Sequence, residues 1–102
     1  MNPFGNPQKL LKQLQSAQER IQREIAEMVV EASAGGGMVK VTMTGEKKVT
    51  AVAIDRQVVN PDDVEMLQDL IVAALTEASA RVDEQVKDKI GSLTGGMKLP
   101  GF

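Results

Sequence analysis

The sequence contains no cysteine and no histidine. Without cysteine, the chain can form no disulfide bond, no thiolate nucleophile and no cysteine-ligated zinc site. Without histidine, it lacks the side chain that most often serves as a general base and as a metal ligand. An enzyme would have to rely on Asp, Glu, Lys, Arg and Ser alone, and no motif in the sequence assembles them. We therefore expect no enzymatic activity, no small-molecule substrate, no metal site and no cofactor.

Aromatic residues are almost absent as well. The chain has no Trp or Tyr, and its only two aromatic residues, Phe4 and Phe102, lie at its ends. The core must therefore be aliphatic, and no interior aromatic side chain is available for stacking on the bases of a single strand. No apolar run approaches the ~20 residues of a membrane-spanning helix, and residues 1–12 lack the apolar core of a signal peptide. We predict a cytoplasmic protein with no membrane partner.

Charge is distributed unevenly although the formal net charge is only −2. Residues 1–23 hold four basic residues and one acidic residue, whereas residues 59–84 hold seven acidic residues and one arginine. An asymmetry of this kind indicates a charged partner. The length of 102 residues fits one domain, 1–102, and the composition of residues 1–6 and 95–102 predicts flexible tails.

Hydrophobic spacing predicts a helix over residues 7–27. Pro7 suits a first helical turn, and a heptad-like series of apolar residues follows: Leu11, Leu14, Ile21, Ile25 and Met28. Residues 28–34, 38–44 and 49–54 then read as strands, with alternation clearest in 38–44. Gly35-Gly36-Gly37 and residues 45–48 separate them as turns, so the three strands predict an antiparallel meander.

A second helix is predicted from Asn60 to about residue 93. Asn60 can act as the N-cap, Pro61 suits the first position, and Asp62, Asp63 and Glu65 favour the positive end of the helix dipole. Helix capping explains these acids better than metal binding does. The fold class is therefore α+β in the order α-β-β-β-α. Helices of roughly 30 and 50 Å must project beyond a sheet only ~20 Å long, which predicts a homodimer.

The most informative pattern lies on the first helix. At ~100° per residue, Lys9, Lys12, Arg20 and Arg23 fall on one stripe roughly 80° wide, opposite the apolar series. A row of cations can follow a row of phosphates. A solvated helix face must also be polar, so the stripe alone leaves both interpretations open. Lys47, Lys48 and Arg56 form a second basic group, which protection of a sheet edge explains. Lys87, Lys89 and Lys98 suit the negative end of the second helix.

The order of the segments resembles that of the YbaB/EbfC family of bacterial nucleoid-associated proteins. The similar segments are the Gln-rich opening helix 8–27, the stretch 37–45 (GMVKVTMTG), residues 52–55 (VAID), residues 65–71 (EMLQDLI) and the closing 96–102 (GMKLPGF). The resemblance implies a homodimer whose helices project like tweezers from a shared sheet region. It also implies double-stranded DNA as the ligand, location in the nucleoid, and a role in nucleoid organisation or gene regulation.

The leading hypothesis is thus a non-enzymatic DNA-binding dimer. Its phosphate contacts would come from Lys9, Lys12, Arg20 and Arg23, with Lys87, Lys89 and Lys98 adding to them. The alternative is a protein–protein adaptor, in which the projecting helices grip another protein and the acidic stretch 59–84 is recognised.

Overall fold

The computed structural model describes residues 6–93, so the predicted flexible tails lie outside this range except for Asn6. The order of elements confirms the α-β-β-β-α prediction. The elements are α1 (Pro7–Glu27), β1 (Val29–Ala34), β2 (Val39–Thr44), β3 (Val49–Ile54), a short 3-10 helix (Arg56–Val58) and α2 (Val64–Leu93).

Local sequence signals explain both ends of α1. The Asn6 side chain accepts a hydrogen bond from the Gln8 amide at 3.0 Å, and Pro7 occupies the first turn. At the other end Met28 is already extended, with φ −65° and ψ 142°. The chain therefore passes from α1 into β1 without a loop. As a result, the angle between α1 and the sheet is determined at the point where the helix meets the first strand.

The three strands form an antiparallel meander in the order β1-β2-β3, as predicted. The first turn uses three consecutive positive φ angles, 65°, 68° and 93° at Gly35, Gly36 and Gly37, which side chains with a Cβ rarely adopt. Between β2 and β3 the register pairs Val39 with Ile54 and Val41 with Val52, and it shifts after Thr42.

The core lies between α2 and the sheet. α2 packs on β1 and β2 but hardly reaches β3. Small side chains on the helix, Ala74 and Ala78, are fully buried in the core between α2 and the sheet, which allows the two layers to approach closely. The buried set is entirely apolar among the described residues, and consists of Val30, Ala32, Val39, Val41, Met43, Val58, Ala74, Ala78 and Val82. Val58, from the 3-10 helix, is a core residue that the hydrophobic spacing did not indicate.

The predicted start of the second helix is wrong by one turn. α2 begins at Val64, because Asn60 instead caps a tight turn in which its side chain accepts from the Asp62 amide at 2.9 Å. Pro61 lies inside this turn, and the Asp63 amide closes it on the Asn60 carbonyl at 2.9 Å. Asp63 then caps α2, since its carboxylate accepts from the Met66 amide at 3.2 Å. The predicted stop at Gly95-Gly96 lies outside the described residues.

α1 stands apart from the rest of the molecule. It contains no buried residue and contacts only α2 and β2 to any extent. The whole molecule measures 76 × 21 × 16 Å, and its radius of gyration is 20.0 Å. A compact chain of this length would have about 13 Å, so the shape confirms that helices project beyond the sheet.

Candidate nucleic-acid interface

The four basic residues predicted on one face of α1 are all exposed. We call Lys9, Lys12, Arg20 and Arg23 the α1 cation stripe. Because α1 is regular from Pro7 to Glu27, the predicted stripe forms on one side of a continuous helix. The stripe is therefore open to a ligand as large as a nucleic acid.

One member of the stripe is partly neutralised within the helix. The Arg20 Nε atom lies 3.7 Å from Oε1 of Glu24, a half-buried residue one turn further on. The second Glu24 oxygen is buried with no hydrogen-bond partner in the described part of the chain. Sequence reasoning omitted Glu24, although the i, i+4 spacing from Arg20 is the signal that finds such pairs. Across residues 6–93, the other three cations of the stripe form no ion pair.

The cations predicted on α2 are only partly available. Lys87 is exposed, Lys89 is half-buried, and Lys98 lies outside the described residues. Leu70 packs on Gly35 at one end of the sheet, whereas Asp83 pairs with Lys47 at the other end. Lys87 and Lys89 follow Asp83, so they lie at the end of the molecule where α1 joins the sheet.

The second basic group consists of Lys47, Lys48 and Arg56, and these three residues differ in their contacts. The Lys47 Nζ atom pairs with Oδ1 of Asp83 at 2.8 Å, which ties the turn between β2 and β3 to α2. Lys47 also has a positive φ of 64° in this turn. Lys48 and Arg56 are exposed. Lys47 is thus occupied in a structural contact, and the group does not form one basic surface.

The opposite face of α1 is apolar along its whole length, but only half of it is covered. Ile21 and Ile25 are half-buried near the sheet. Leu10, Leu11 and Leu14, further along the same face, are 45%, 56% and 61% exposed. α1 therefore presents cations on one side and uncovered leucines on the other.

β3 forms a second uncovered apolar surface. Val52 and Ile54 pair with core residues of β2, yet they are 45% and 39% exposed because α2 does not extend over β3. β3 is also the edge of the sheet, so one row of its backbone hydrogen-bonding groups faces outward. An exposed apolar edge of this kind is typical of a surface that another chain covers.

Other kinds of site find no support in the described residues. Between residues 6 and 93, no three acidic side chains come together in a way that could hold a metal ion. No helix there combines the length and the apolar character needed to cross a membrane. Of the acids at the start of α2, Asp63 caps the helix in place of the predicted Asn60, and Glu65 lies in its first turn.

Comparison with known proteins places these features in a family. The sequence model of the YbaB/EbfC DNA-binding family matches residues 1–97. A "Nucleoid-associated protein" of Acetivibrio thermocellus is 52% identical over 102 aligned residues, which cover 96% of this chain and 90% of the relative. A "Nucleoid-associated protein" of Roseiflexus castenholzii is 47% identical, and the match covers both chains completely.

The fold also occurs among solved structures. The crystal structure of an uncharacterised protein from Helicobacter pylori superposes with a TM-score of 0.73, covering 92% of this chain and 99% of that one. Its sequence is 21% identical, so this similarity concerns the fold alone.

Proposed function

The chain belongs to the YbaB/EbfC DNA-binding family, and from this premise we propose that it binds double-stranded DNA as a homodimer, through phosphate contacts made by the α1 cation stripe. Several relatives carry the name "Nucleoid-associated protein". We accordingly propose that the protein works in the cytoplasm, on the nucleoid, and contributes to nucleoid organisation and gene regulation. The family is a DNA-binding family and not a family of enzymes.

The observation that carries the proposal is the exposed α1 cation stripe on a projecting helix. Between Lys9 and Arg23 the helix rises by roughly 21 Å at 1.5 Å per residue. On each strand, phosphates follow one another every ~3.4 Å of the duplex axis, so a stripe aligned with that axis would span about six phosphate steps. A helix that stands away from its own sheet can approach the duplex without a clash from the rest of the fold.

Two of the remaining predicted contacts, Lys87 and Lys89, lie at the end of the molecule where α1 joins the sheet. Lys87 and Lys89 lie beyond Asp83 on α2, near the region where α1 begins to project. We propose that they, together with Lys98, extend the phosphate-binding surface. Lys89 is half-buried and is expected to contribute less than Lys87.

Binding through phosphates implies weak sequence preference. Contacts to phosphate position a protein on the duplex, whereas contacts to base edges read the sequence. The α1 cation stripe offers four long basic side chains, and only glutamines and Ser16 share its exposed surroundings as uncharged polar groups. We therefore expect the protein to distinguish DNA sequences mainly by their shape.

A second copy of this chain accounts for both uncovered apolar surfaces. Val52 and Ile54 extend the buried face of the sheet beyond the reach of α2, so a surface of the same composition from a second chain would complete the core. The exposed leucines of α1 require cover for the same reason. A two-fold dimer is the commonest closed assembly and would present two copies of the α1 cation stripe.

A charge-reversal experiment tests the DNA contact. We expect K12E/R20E/R23E to lose retardation of a duplex in a gel while remaining dimeric by sedimentation. The matched control is K40E/K48E/R56E, which changes the net charge by the same amount at three exposed cations that do not belong to α1. The control should retain most of the affinity, because phosphate contacts depend on where charges lie as well as on their sum.

Three results would contradict parts of the proposal. Undiminished DNA binding by the α1 variant would reject the α1 cation stripe as the contact. Equal loss in both triple variants would show that net charge alone governs binding. A monomeric unsubstituted protein at micromolar concentration would separately reject the homodimer.

A further inference from the structure

α1 ends against the turn between β2 and β3, which spans residues 45–48 and which we call the β2–β3 turn. The Gly45 amide in this turn donates a hydrogen bond to the Met28 carbonyl at 3.1 Å. The Met28 amide in turn donates to the Ile25 carbonyl at 3.1 Å, closing the last turn of α1. A short chain of backbone hydrogen bonds thus joins the sheet to the end of the helix.

Gly45 fits this position because it has no side chain. A Cβ atom built on Gly45 would collide with the Ile25 carbonyl oxygen and would lie 2.9 Å from the Ile25 Cγ2 atom. The reason is space, since the positive φ angles of the described glycines occur at Gly35, Gly36 and Gly37 and not at Gly45. The helix backbone therefore rests directly on the glycine.

The β2–β3 turn has little freedom to move away from such a collision. Thr44 Oγ1 accepts hydrogen bonds from the Glu46 amide at 3.3 Å and from the Lys48 amide at 3.2 Å. The Lys47 ammonium pairs with Asp83 at 2.8 Å, which joins the turn to α2. The turn is thus held both internally and against the second helix.

We propose that Gly45 is a positioning residue that sets the direction of α1, and through it the placement of the α1 cation stripe. The proposal about DNA rests on the function proposed above, whereas the proposal about direction does not. α1 has no buried residue and few contacts elsewhere, so its last turn is the place where its angle is decided. The Ile25 carbonyl, resting on Gly45, is the point about which the helix would tilt.

The length of α1 amplifies any change at this point. A tilt of about 10° would move the far end of a ~30 Å helix by roughly 5 Å. Such a displacement exceeds the reach over which a phosphate contact can be kept without rearrangement of the side chain. A single methyl group at residue 45 should therefore act on cations at the opposite end of the helix.

The test uses G45A and measures the direction of α1 directly. Because the chain has no cysteine, Q13C and S33C introduce the only two sites for spin labels, one on α1 and one on β1. Labelled chains are diluted in unlabelled protein so that only distances within one chain are recorded by pulsed electron resonance. Residue 13 lies roughly 18 Å from the Ile25 carbonyl along the helix, so we expect the same tilt of about 10° in G45A to shift or broaden the distance distribution by roughly 3 Å.

The matched control is G91A, since a Cβ at Gly91 meets no other atom within 4 Å. It makes the same chemical change inside α2 and should leave the distance unchanged. In DNA titrations, G45A should bind more weakly, with a salt slope smaller by roughly 0.9 for each phosphate that the protein no longer neutralises. G91A should keep the slope of the unsubstituted protein.

The outcomes separate this inference from the proposed function. An unchanged distance in folded G45A overturns the positioning role, whatever happens to DNA binding. A changed distance with unchanged DNA binding confirms the role of Gly45 in the direction of α1 and overturns its role in placing the DNA contact. Failure of the charge-reversal experiment would instead reject the α1 cation stripe and leave the distance measurement valid.

A measurement on the unsubstituted protein keeps the inference testable if G45A does not fold. The Gly45 amide should exchange its hydrogen far more slowly than an unstructured peptide does, since it donates to the Met28 carbonyl. Exchange at the rate of an unstructured peptide would show that the sheet does not hold the end of α1, and would overturn the proposal.

Discussion

At the scale of single residues, ion pairs decide how much of the charge on α1 a ligand can use. The Arg20 Nε atom lies 3.7 Å from Oε1 of Glu24 and forms an ion pair with it. Between residues 6 and 93, Lys9, Lys12 and Arg23 form no ion pair. An i, i+4 pair on a helix contributes only about 0.3–0.5 kcal/mol. Since Arg20 is 64% exposed even though Glu24 is half-buried, a phosphate can compete with Glu24 for the Arg20 side chain.

Removing the competing carboxylate should strengthen DNA binding. E24Q leaves Arg20 free and takes one negative charge away from the α1 cation stripe. We expect the dissociation constant to fall by about twofold, which corresponds to the energy of an exposed i, i+4 pair. Fluorescence anisotropy with a labelled duplex at low salt measures it.

The control for this change is E65Q, which removes an exposed carboxylate from the first turn of α2. It should leave the affinity nearly unchanged. An equal gain in both variants would mean that Glu24 acts only through the net charge.

Buried alanines on α2 determine how closely the helix approaches the sheet. Ala78 has no exposed surface, and Val41 beneath the helix has none either. A78L should lower the free energy of unfolding by about 1–3 kcal/mol, because the core has no space for the added atoms. Urea denaturation measures the loss.

A80L is the control for the core substitution, since Ala80 is exposed on the same helix. Its effect should remain within about 0.5 kcal/mol, as is usual for surface positions. A loss as large as that of A78L would show that Ala80 is covered in solution.

At the scale of elements, β3 differs from its two neighbours. β1 and β2 each alternate between buried and exposed residues, but all six residues of β3 are exposed. Its sequence, VTAVAI, is nevertheless as apolar as theirs. A strand with this composition and no cover within its own chain is expected to form part of an interface.

Placing a charge on this strand should separate the subunits. V52K puts an ammonium group on the face that continues the core, where burial against a second chain would leave it without a partner. We expect a monomer in sedimentation velocity at concentrations where the unsubstituted protein is dimeric.

A53K is the matched control, because Ala53 points to the opposite face of the same strand. It pairs with Lys40, which is exposed on β2. It should remain dimeric. A dimer that persists in V52K would place the interface elsewhere, with the α1 leucines as the next candidate.

The limits of the elements show what the sequence could predict. Pro7 and the heptad-like apolar series place α1 correctly, and the apolar run 49–54 after a turn places β3 correctly, since nothing outside these segments competes with the local pattern. The predicted start of α2 is wrong because Asn60 and Asp63 are both good capping residues, and the tight turn closed by the Asp63 amide decides between them. Spacing on a helix predicted the α1 cation stripe. The contact of Gly45 with Ile25 joins residues twenty positions apart, and local patterns carry no information about it.

At the scale of the whole molecule, shape and charge distribution act together. The molecule is 76 Å long and 16 Å thin in one direction, so its projecting helices carry charge far from the centre of mass. The net charge of −2 is close to zero, yet one end of the chain is basic and residues 59–84 are acidic. Under the proposed function, binding should favour orientations that bring the α1 cation stripe to the duplex, because residues 59–84 would repel the phosphates.

Salt should weaken DNA binding steeply. Each phosphate contact contributes roughly −0.9 to the slope of log K against log salt, so two copies of the four-residue stripe predict a slope of about −7. Titrations of one duplex at several salt concentrations give this value. A scrambled duplex of equal length should give nearly the same slope, and a slope near zero would exclude phosphate contacts.

The uncovered strand β3 has a consequence for the life of the protein in the cell. A surface that is completed only by a second chain makes the free energy of folding depend on protein concentration, because association draws on the folded state by mass action. In the proposed homodimer, a second copy of the chain would stabilise the folded state in the same way as a ligand that binds only that state. In such a homodimer, a scarce chain would leave the subunits separated, the exposed apolar strand would lower their stability, and proteases would act on the population that unfolds. The same dilution would remove one of the two α1 helices proposed to hold DNA, so the amount of protein would control both its persistence and its activity through a single equilibrium.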